Sequence, residues 1–515
     1  MCRYGRLVFT AFLWWAQSAL AYEVNDTVVV VRPAPVVLGS KTVDNVYPGF
    51  CLKVLAIDGS WLWIESGVPG YLDQNNVVAL DKAVDYFTRE IARNRGDAQP
   101  YTARSMVWHE LGNYDKAIED VNEAIRLDPS ASNLFCNRGL IYYDQSQYDR
   151  AIADFSEAIR LDPQDSAPYG NRADAWADKG EYDMAIADYT DAIRLQPDNL
   201  WYYNRRGLAY DGKEDYDKAI ADYEHVLNVD PNARYAYRNR AFAWYAKGNF
   251  DRAIADYSTC IRLDPTDAAY AERGDTYGDI GEYDKALADY REALRLAPTD
   301  AEYLSDIGWT LVAKGDYDAA PAELNKALQL EPRLANAYAN RSWLRRCRGE
   351  YEQALADADR AVLLDPKHAA GWVHRGKAYA LTGRYEKALA DFNKALETAP
   401  QNSFALAGMA WFRATCPEAS FRDGRAALAN AQEADRRMSA KNGWLLEALA
   451  AAYAESGDFA AALAAEQKAL ALFVGDQDRK AAQERLELIK RMKPFREEPL
   501  PLGKGQDTNV VKQTK

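Results

Sequence analysis

Side chains that could perform acid–base, nucleophilic or metal chemistry are spread thinly along this chain of 515 residues. The chain has four histidines, His109, His225, His368 and His374, and no two of them have the spacing of a metal-ligand pair. The acidic residues recur in Tyr-Asp-Lys-Ala and Leu-Asp-Pro contexts, which helix starts and turns explain better than paired carboxylate catalysis does. There is no Gly-rich phosphate loop and no Gly-x-Ser-x-Gly motif. The sequence therefore predicts no catalytic residue, no metal site, no cofactor and no enzymatic activity.

Composition narrows the class of partner. Apolar residues make up 48% of the chain and charged residues 27%, which is enough apolar surface for a buried core. The formal net charge is −14, whereas a protein that binds nucleic acid needs a basic stripe. Nucleic acid is therefore excluded as the main partner.

Beyond the N-terminal region no segment has 18 consecutive apolar residues, so no transmembrane segment is predicted in the mature chain.

A sequence repeat predicts the secondary-structure elements that would position any functional side chain. Prolines recur every 34 residues from Pro129 to Pro400, with one interval of 33 residues between Pro265 and Pro298. A period of this length is typical of stacked helix–turn–helix units. With Ser132 as position 1, small residues occupy positions 8, 20 and 27, and aromatic residues occupy positions 11 and 24. Small residues let two helices approach closely, and the proline at position 32 ends the second helix.

This combination of residue size, spacing and terminator resembles the tetratricopeptide repeat. In the copy that begins at Ser132, the residues concerned are Gly139, Tyr142, Ala151, Phe155, Ala158 and Pro163. The resemblance implies a mainly α fold, a right-handed α-solenoid in which each repeat contributes two antiparallel helices. Nine repeats match well, and they span residues 98–131, 132–165, 166–199, 200–233, 234–266, 267–300, 301–334, 335–368 and 369–402.

The resemblance also implies a binding surface. In such arrays the first helices line a concave groove, and position 6 of each repeat faces it. Here position 6 is occupied in five copies by Asn137, Asn171, Arg205, Asn239 and Asn340. An asparagine amide both donates and accepts hydrogen bonds, so a row of amides suits the main chain of an extended peptide. The alternative is that asparagine is a tolerated solvated residue whose recurrence reflects repeat duplication.

Charged residues recur beside this row. Acidic residues at positions 12 and 13 predict a groove that favours basic or neutral peptides, and they are Asp144, Asp178, Asp211 and Asp279. The arginines at position 7, such as Arg138 and Arg172, are expected to lay their stems beside aromatic rings and to pair with acids between repeats. A clamp for a terminal carboxylate would need Lys or Arg at positions 2 and 6 of neighbouring copies, and this pattern is missing.

The N-terminal residues 1–21 predict an export signal. Arg3 and Arg6 precede an apolar stretch that ends in the small-residue sequence Ala-Leu-Ala at positions 19–21. The protein is then expected to be periplasmic or secreted. The alternative is an uncleaved N-terminal segment that anchors the protein.

Residues 22–80 change to a strand pattern of five short segments and resemble a small bacterial SH3-like barrel. Four aromatic residues would form its ligand groove, and they are Tyr47, Trp61, Trp63 and Tyr71. The alternative is that at least two of the four belong to the core.

The remaining segments are predicted to link or close the array. Residues 81–97 contain a helix that joins the barrel to the repeats and covers their first face. Residues 403–474 hold two divergent repeat-like units, residues 475–492 a capping helix, and residues 493–515 a polar tail that is expected to be disordered. Within the array, Pro321 falls inside a predicted second helix and should remove a backbone hydrogen bond there.

Two functions fit these features. The main hypothesis is a non-enzymatic exported scaffold or adaptor that binds a protein or an extended peptide in the concave groove. The alternative is a cell-wall-attachment protein, in which the barrel binds envelope glycopeptide and the array is a spacer.

Overall fold

The computed structural model describes residues 25–38, 41–58, 60–64, 70–438, 442–473 and 475–499. The predicted export signal, residues 1–21, lies outside the described residues. The chain divides into two compact units, Met1–Lys213 and Glu214–Lys515, named below the N-terminal unit and the C-terminal unit.

The N-terminal unit begins with an antiparallel sheet, named below the β domain. Its strands are β1 (Thr27–Val30), β2 (Ala34–Leu38), β3 (Lys41–Val46), β4 (Cys51–Asp58), β5 (Trp61–Ile64), β6 (Gly70–Asp73) and β7 (Val77–Ala79). They lie in the order β3-β2-β6-β5-β4-β1-β7. Apolar side chains from every strand, such as Val36, Leu62 and Leu72, pack into one core.

The sheet has seven strands within the described residues, where the sequence predicted five. Strand β3 was missed because its sequence, Lys-Thr-Val-Asp-Asn-Val, is mostly polar, and its strand conformation depends on backbone pairing with β2. At the end of the domain, residues 70–79 contribute two strands, β6 and β7, because a turn of 3₁₀ helix at Gln74–Asn76 separates them.

Eight helices follow in the described part of the N-terminal unit. They are α1 (Leu80–Arg93), α2 (Ala98–Glu110), α3 (Tyr114–Leu127), α4 (Ser132–Asp144), α5 (Tyr148–Leu161), α6 (Ala167–Asp178), α7 (Tyr182–Leu195) and α8 (Leu200–Gly212). The pairs α2/α3, α4/α5 and α6/α7 are the two antiparallel helices of successive repeats. Val29 of β1 packs with Ala83 and Phe87 of α1 and with Ala103 and Val107 of α2, and this cluster joins the β domain to the first repeat.

The C-terminal unit is helical throughout its described part. Its helices are α9 (Tyr216–Val229), α10 (Arg234–Ala246), α11 (Phe250–Leu263), α12 (Asp267–Asp279), α13 (Tyr283–Leu296), α14 (Ala301–Lys314), α15 (Ala320–Leu330), α16 (Ala335–Cys347), α17 (Tyr351–Leu364), α18 (Ala369–Leu381), α19 (Tyr385–Thr398), α20 (Ser403–Thr415), α21 (Gly424–Met438), α22 (Gly443–Glu455), α23 (Phe459–Leu472) and α24 (Asp476–Lys490). Helices α20 to α23 form two further pairs, and α24 packs on α23.

The repeat positions explain why the helix pairs form. Gly139 of α4 lies against Phe155 of α5, and a Cβ atom added at Gly139 would come within 2.6 Å of the phenyl ring. Asp149 lies in the first turn of α5 and Arg160 in its last turn, which is the charge order that the helix dipole favours. These contacts recur with the period of the sequence.

Two segments differ from their predicted structure. Helix α15 begins only at Ala320, so Pro321 lies in its first turn, where no backbone N–H is required for a helical hydrogen bond. The predicted loss of a hydrogen bond at Pro321 is therefore wrong.

Residues 493–499, which the sequence assigned to a disordered tail, make defined contacts with α20 and α22, because their aromatic and charged side chains find partners there. Residues 500–515 lie outside the described residues.

Candidate functional site

The arginines at position 7 form ion pairs within single repeats. Each donates through Nε and Nη2 to both carboxylate oxygens of an aspartate on the second helix, 16 residues later, at 2.7–2.8 Å. These pairs are Arg104–Asp120, Arg138–Asp154, Arg172–Asp188, Arg240–Asp256, Arg273–Asp289, Arg341–Asp357 and Arg375–Asp391.

The expected pairing of these arginines with acids of other repeats is therefore wrong for Nε and Nη2, but it holds for Arg375, whose Nη1 pairs with Asp359 of the preceding repeat at 2.8 Å. An offset of 16 residues joins the two helices of one hairpin. Only the remaining nitrogen reaches the preceding repeat, as when Arg172 Nη1 donates to Ser156 Oγ at 2.9 Å. Each guanidinium also lies near an aromatic ring three residues earlier, at 5.9 Å for Arg172 and Tyr169. Position 7 thus holds the repeat together and leaves little charge for a ligand.

In the N-terminal unit, the position 6 side chains meet different partners. Asn137 lines a pocket next to the β domain. Asn171 Nδ2 lies 3.4 Å from Cys136 Sγ of the preceding repeat. Arg205 Nε donates to Asp174 at 2.8 Å, and Tyr189 donates to the same carboxylate oxygen at 2.6 Å.

In the C-terminal unit, the amide of Asn340 is used between repeats. Asn340 is 3% exposed, and its Nδ2 donates to Ser305 Oγ at 3.0 Å. Asn239 is half-buried. Asn340 joins position 6 to position 5 of the preceding repeat, as Asn171 does. The amides of Asn171 and Asn340 therefore bridge adjacent first helices.

The predicted acidic residues accept hydrogen bonds from the preceding repeat. Asp144 lies 2.6 Å from His109 Nε2 and is 45% exposed. Tyr143 donates to Asp178, which is also exposed. These two carboxylates occupy position 13 of consecutive repeats.

The remaining predicted acids are less open to solvent. Asp279 accepts from Tyr245, and burial raises the pKa of Asp279 to about 6. Asp211 is half-buried. The exposed acidic pair therefore lies in the N-terminal unit.

The sequence assigned no role in the groove to three ionisable residues at position 6. Glu272 pairs with Arg238 of the preceding repeat. Burial and the charge of Asp275 raise the pKa of Asp306 well above its usual value. His374 is buried and stacks on Trp343, with ring centroids 5.8 Å apart. Tabulating position 6 in every copy, rather than in the asparagine copies alone, would have found all three.

A pocket of about 240 Å³ lies between the β domain and the first two repeats. Its lining includes Phe50 from the β domain, Met106 and His109 from α2, and Asn137 and Leu140 from α4. The pocket thus combines apolar walls with an amide and an imidazole.

The four aromatic residues of the β domain do not form one groove. Trp63 and Tyr71 are cross-strand partners, half-buried, with ring centroids 4.8 Å apart. Trp61 lies two residues along the same strand and is exposed. Tyr47 is exposed on the connection between β3 and β4, beside Phe50. Three of the four therefore share one outer face of the sheet, and Tyr47 lies elsewhere.

Within the part of the chain that the structure describes, no group of three or more His, Cys, Asp or Glu side chains could hold a metal ion. Among the same residues, no helix has the length and apolar character required to span a membrane.

Comparison with protein families agrees with the repeat architecture. Models described as tetratricopeptide repeat match residues 132–165, 207–273, 268–300, 301–334 and 346–410, and a model described as TPR repeat matches residues 107–146 and 173–213. The chain therefore contains an array of tetratricopeptide repeats. The predicted α-solenoid, preceded by a small antiparallel β domain, is confirmed.

Solved structures of such repeats resemble parts of the chain. Yeast Tom70 is 16% identical over 76% of this chain and 96% of its own, with a TM-score of 0.37. A tetratricopeptide repeat protein from Parabacteroides merdae is 19% identical over 55% of this chain and 98% of its own, with a TM-score of 0.38. YrrB, described as a TPR protein with an unusual peptide-binding site, is 20% identical over 35% of this chain and 94% of its own, with a TM-score of 0.32. The comparison with curated proteins gives no match.

Proposed function

We propose that this protein is an exported, non-enzymatic scaffold that binds an extended basic segment of a partner protein. The segment would lie along the first helices of the N-terminal unit. The observation that carries the proposal is the pair of exposed carboxylates, Asp144 and Asp178, at the same position of consecutive repeats.

The charge balance around these carboxylates supports a basic ligand. Within α4 and α6, Arg138 and Arg172 are neutralised by aspartates of the second helices, and Asp174 is neutralised by Arg205. Asp144 and Asp178 contact only a histidine and a tyrosine in hydrogen bonds of the described structure. The ionised groups left without an opposite charge on these two helices are therefore negative at neutral pH.

The pocket beside Asn137 supplies a second contact of different chemistry. Its apolar wall, formed in part by Phe50, Met106 and Leu140, suits an apolar side chain of the bound segment. The amide of Asn137 can pair with the main chain of that segment. A basic segment with one apolar anchor would satisfy both features.

The histidines support a binding role rather than catalysis. His374 is enclosed by the rings of Trp343 and Phe404, and His109 is held by Asp144. Neither lies beside a nucleophile in the described contacts. A general base needs a substrate proton within hydrogen-bond reach.

Binding of a fluorescent Lys/Arg-rich peptide to the full-length protein tests the proposal. In Asp144→Asn/Asp178→Asn, the affinity should fall about tenfold, since each lost charge pair is worth ~0.5–1 kcal/mol. The matched control is Asp115→Asn/Glu119→Gln, which removes the same charge from exposed positions of the second helix α3 and should change affinity less than twofold. Equal losses in both variants would show that net charge alone drives binding.

Export is tested separately, by cell fractionation and N-terminal sequencing of the protein. The expected mature N-terminus is Tyr22, because the small-residue site ends at Ala21. A protein that keeps Met1 or Cys2 and sediments with membranes would instead support the anchored alternative.

A second candidate function is attachment to cell-wall glycopeptide through the β domain. It is favoured by one observation, the outer face shared by Trp61, Trp63 and Tyr71. Aromatic faces of this kind bind sugar rings by stacking. Sedimentation of the full-length protein with purified cell wall should be lost in Trp61→Ala and retained in Tyr47→Ala. Sedimentation that both variants retain would reject this function.

A further inference from the structure

The start of the C-terminal tail, residues 493–499, lies against the first helices of the last repeats. This stretch has no helix or strand of its own. The Phe495 ring lies 5.6 Å from the Trp411 ring on α20. A Cβ atom added at Gly383, just after α18, would lie 3.7 Å from Pro499. The tail thus crosses α20 and reaches the end of α18.

Arg496 binds to two neighbouring first helices. Its Nη2 lies 2.7 Å from Glu455 Oε2 at the end of α22. Its Nη1 donates to the carbonyl oxygen of Ala414 on α20 at 3.2 Å. One side chain therefore bridges two consecutive units.

Glu497 makes both main-chain and side-chain contacts. Its backbone N–H donates to the carbonyl oxygen of Thr415 at 2.9 Å. Its carboxylate accepts from Trp411 Nε1 at 2.9 Å. Burial raises the pKa of this carboxyl, and the hydrogen bond from Trp411 and the positive charges of Arg346 and Lys377 oppose that shift only in part. The specific contacts of Glu497 are therefore its two hydrogen bonds to α20.

These contacts have the character of a bound peptide rather than of a core element. Pro494, Phe495, Arg496 and Glu497 are each half-buried, whereas Lys493, Glu498 and Pro499 are exposed. None of Phe495, Arg496 and Glu497 belongs to the buried clusters that hold α18, α20 and α22 together. The helices can therefore pack without the tail, and release of the tail exposes a preformed site.

We propose that residues 494–498 are a tethered ligand of a peptide site on α18, α20 and α22. The site also accepts, in trans, an extended partner segment that presents an aromatic, a basic and an acidic side chain in succession. The tether holds its own segment at a high local concentration, so the site is closed to weak ligands until a matching segment displaces the tail. This site is distinct from the one proposed around the exposed carboxylates of Asp144 and Asp178 in the N-terminal unit.

The test uses a fluorescent peptide with the sequence of residues 493–499, Lys-Pro-Phe-Arg-Glu-Glu-Pro. The full-length variant Phe495→Ala/Arg496→Ala/Glu497→Ala has an empty site and should bind this peptide at least about tenfold more tightly than the unchanged chain does. A peptide with alanine at the same three positions should bind neither protein. Adding Glu455→Gln to the variant should weaken binding again, through loss of the partner of Arg496.

Hydrogen exchange provides a readout that does not depend on the variant. In the unchanged chain, the amide of Glu497 is hydrogen-bonded and should exchange slowly, and excess peptide should accelerate its exchange. Equal peptide affinity for the variant and the unchanged chain would overturn the proposal. So would unfolding of the variant together with a Glu497 amide that peptide does not affect, since the tail would then be part of the fold.

Discussion

Replacement of Asp188 by alanine tests the ion pairs that hold each repeat together. Asp188 lies on α7, is 8% exposed, and accepts from Arg172 Nε and Nη2 at 2.8 Å. In Asp188→Ala, the guanidinium of Arg172 loses both carboxylate oxygens of its ion-pair partner. It keeps only the hydroxyl of Ser156 and the face of Tyr169.

The expected cost follows from the burial of the two partners. Removing one partner of a fully buried ion pair costs ~3–5 kcal/mol. The Arg172 side chain is 22% exposed, so water partly solvates the freed charge, and we expect ~2–3 kcal/mol. The double variant Arg172→Met/Asp188→Leu leaves no unpaired charge and should be more stable than Asp188→Ala. In repeat 301–334 the arginine is already replaced by the buried Ile307, although the residue 16 positions later, Glu323, is still acidic.

The measurement is the opening free energy of α7 amides by native-state hydrogen exchange. Local exchange is preferred to one melting temperature because long repeat arrays need not unfold in a single step. The control is Asp183→Ala, which removes an aspartate that is 82% exposed from the first turn of the same helix, together with its exposed ion pair to Lys213, and should cost less than about 1 kcal/mol. Equal destabilisation by Asp188→Ala and Asp183→Ala would refute the reasoning. So would a double variant whose loss of stability equals the sum of the losses in Arg172→Met and in Asp188→Leu.

Two further perturbations follow from burial. Asp279→Asn should stabilise the protein at pH 7 and leave it unchanged at pH 4. Because the folded pKa of about 6 is raised above the unfolded value, the stabilising proton is lost as pH rises through 6. The amide still accepts from Tyr245, so the gain at pH 7 is about 1–3 kcal/mol in thermal or urea unfolding; a gain that persists at pH 4 would contradict this cause. Gly139→Ala should cost about 1–3 kcal/mol because its Cβ would lie 2.6 Å from the Phe155 ring, and Gly376→Ala, with 3.2 Å to its own ring neighbour, should cost less in the same unfolding measurement.

The candidate site illustrates what a repeat pattern can and cannot predict. The period placed Asn137, Asn171 and Asn340 at one position, and they do occupy equivalent places in their first helices. Their surroundings differ because neighbouring residues differ. Asn171 meets a cysteine, Asn340 a serine, and Asn137 a pocket whose walls include a residue of the β domain. Sequence reasoning assigned one role to a position that has several environments.

By itself, the sequence determined the helix pairs, the proline-marked ends of the second helices and the residues of their internal cores. The physical reason is that a helix and its hairpin partner are close along the chain, so size, periodicity and a terminal proline are sufficient to specify them. Only the tertiary structure decided which charges remain open to a ligand and where the tail lies. Asp174 is neutralised by Arg205 of the next repeat, and the carboxylate of Glu497 accepts from Trp411, 86 residues earlier in the chain. Such contacts depend on how helices stack, and no local pattern encodes them.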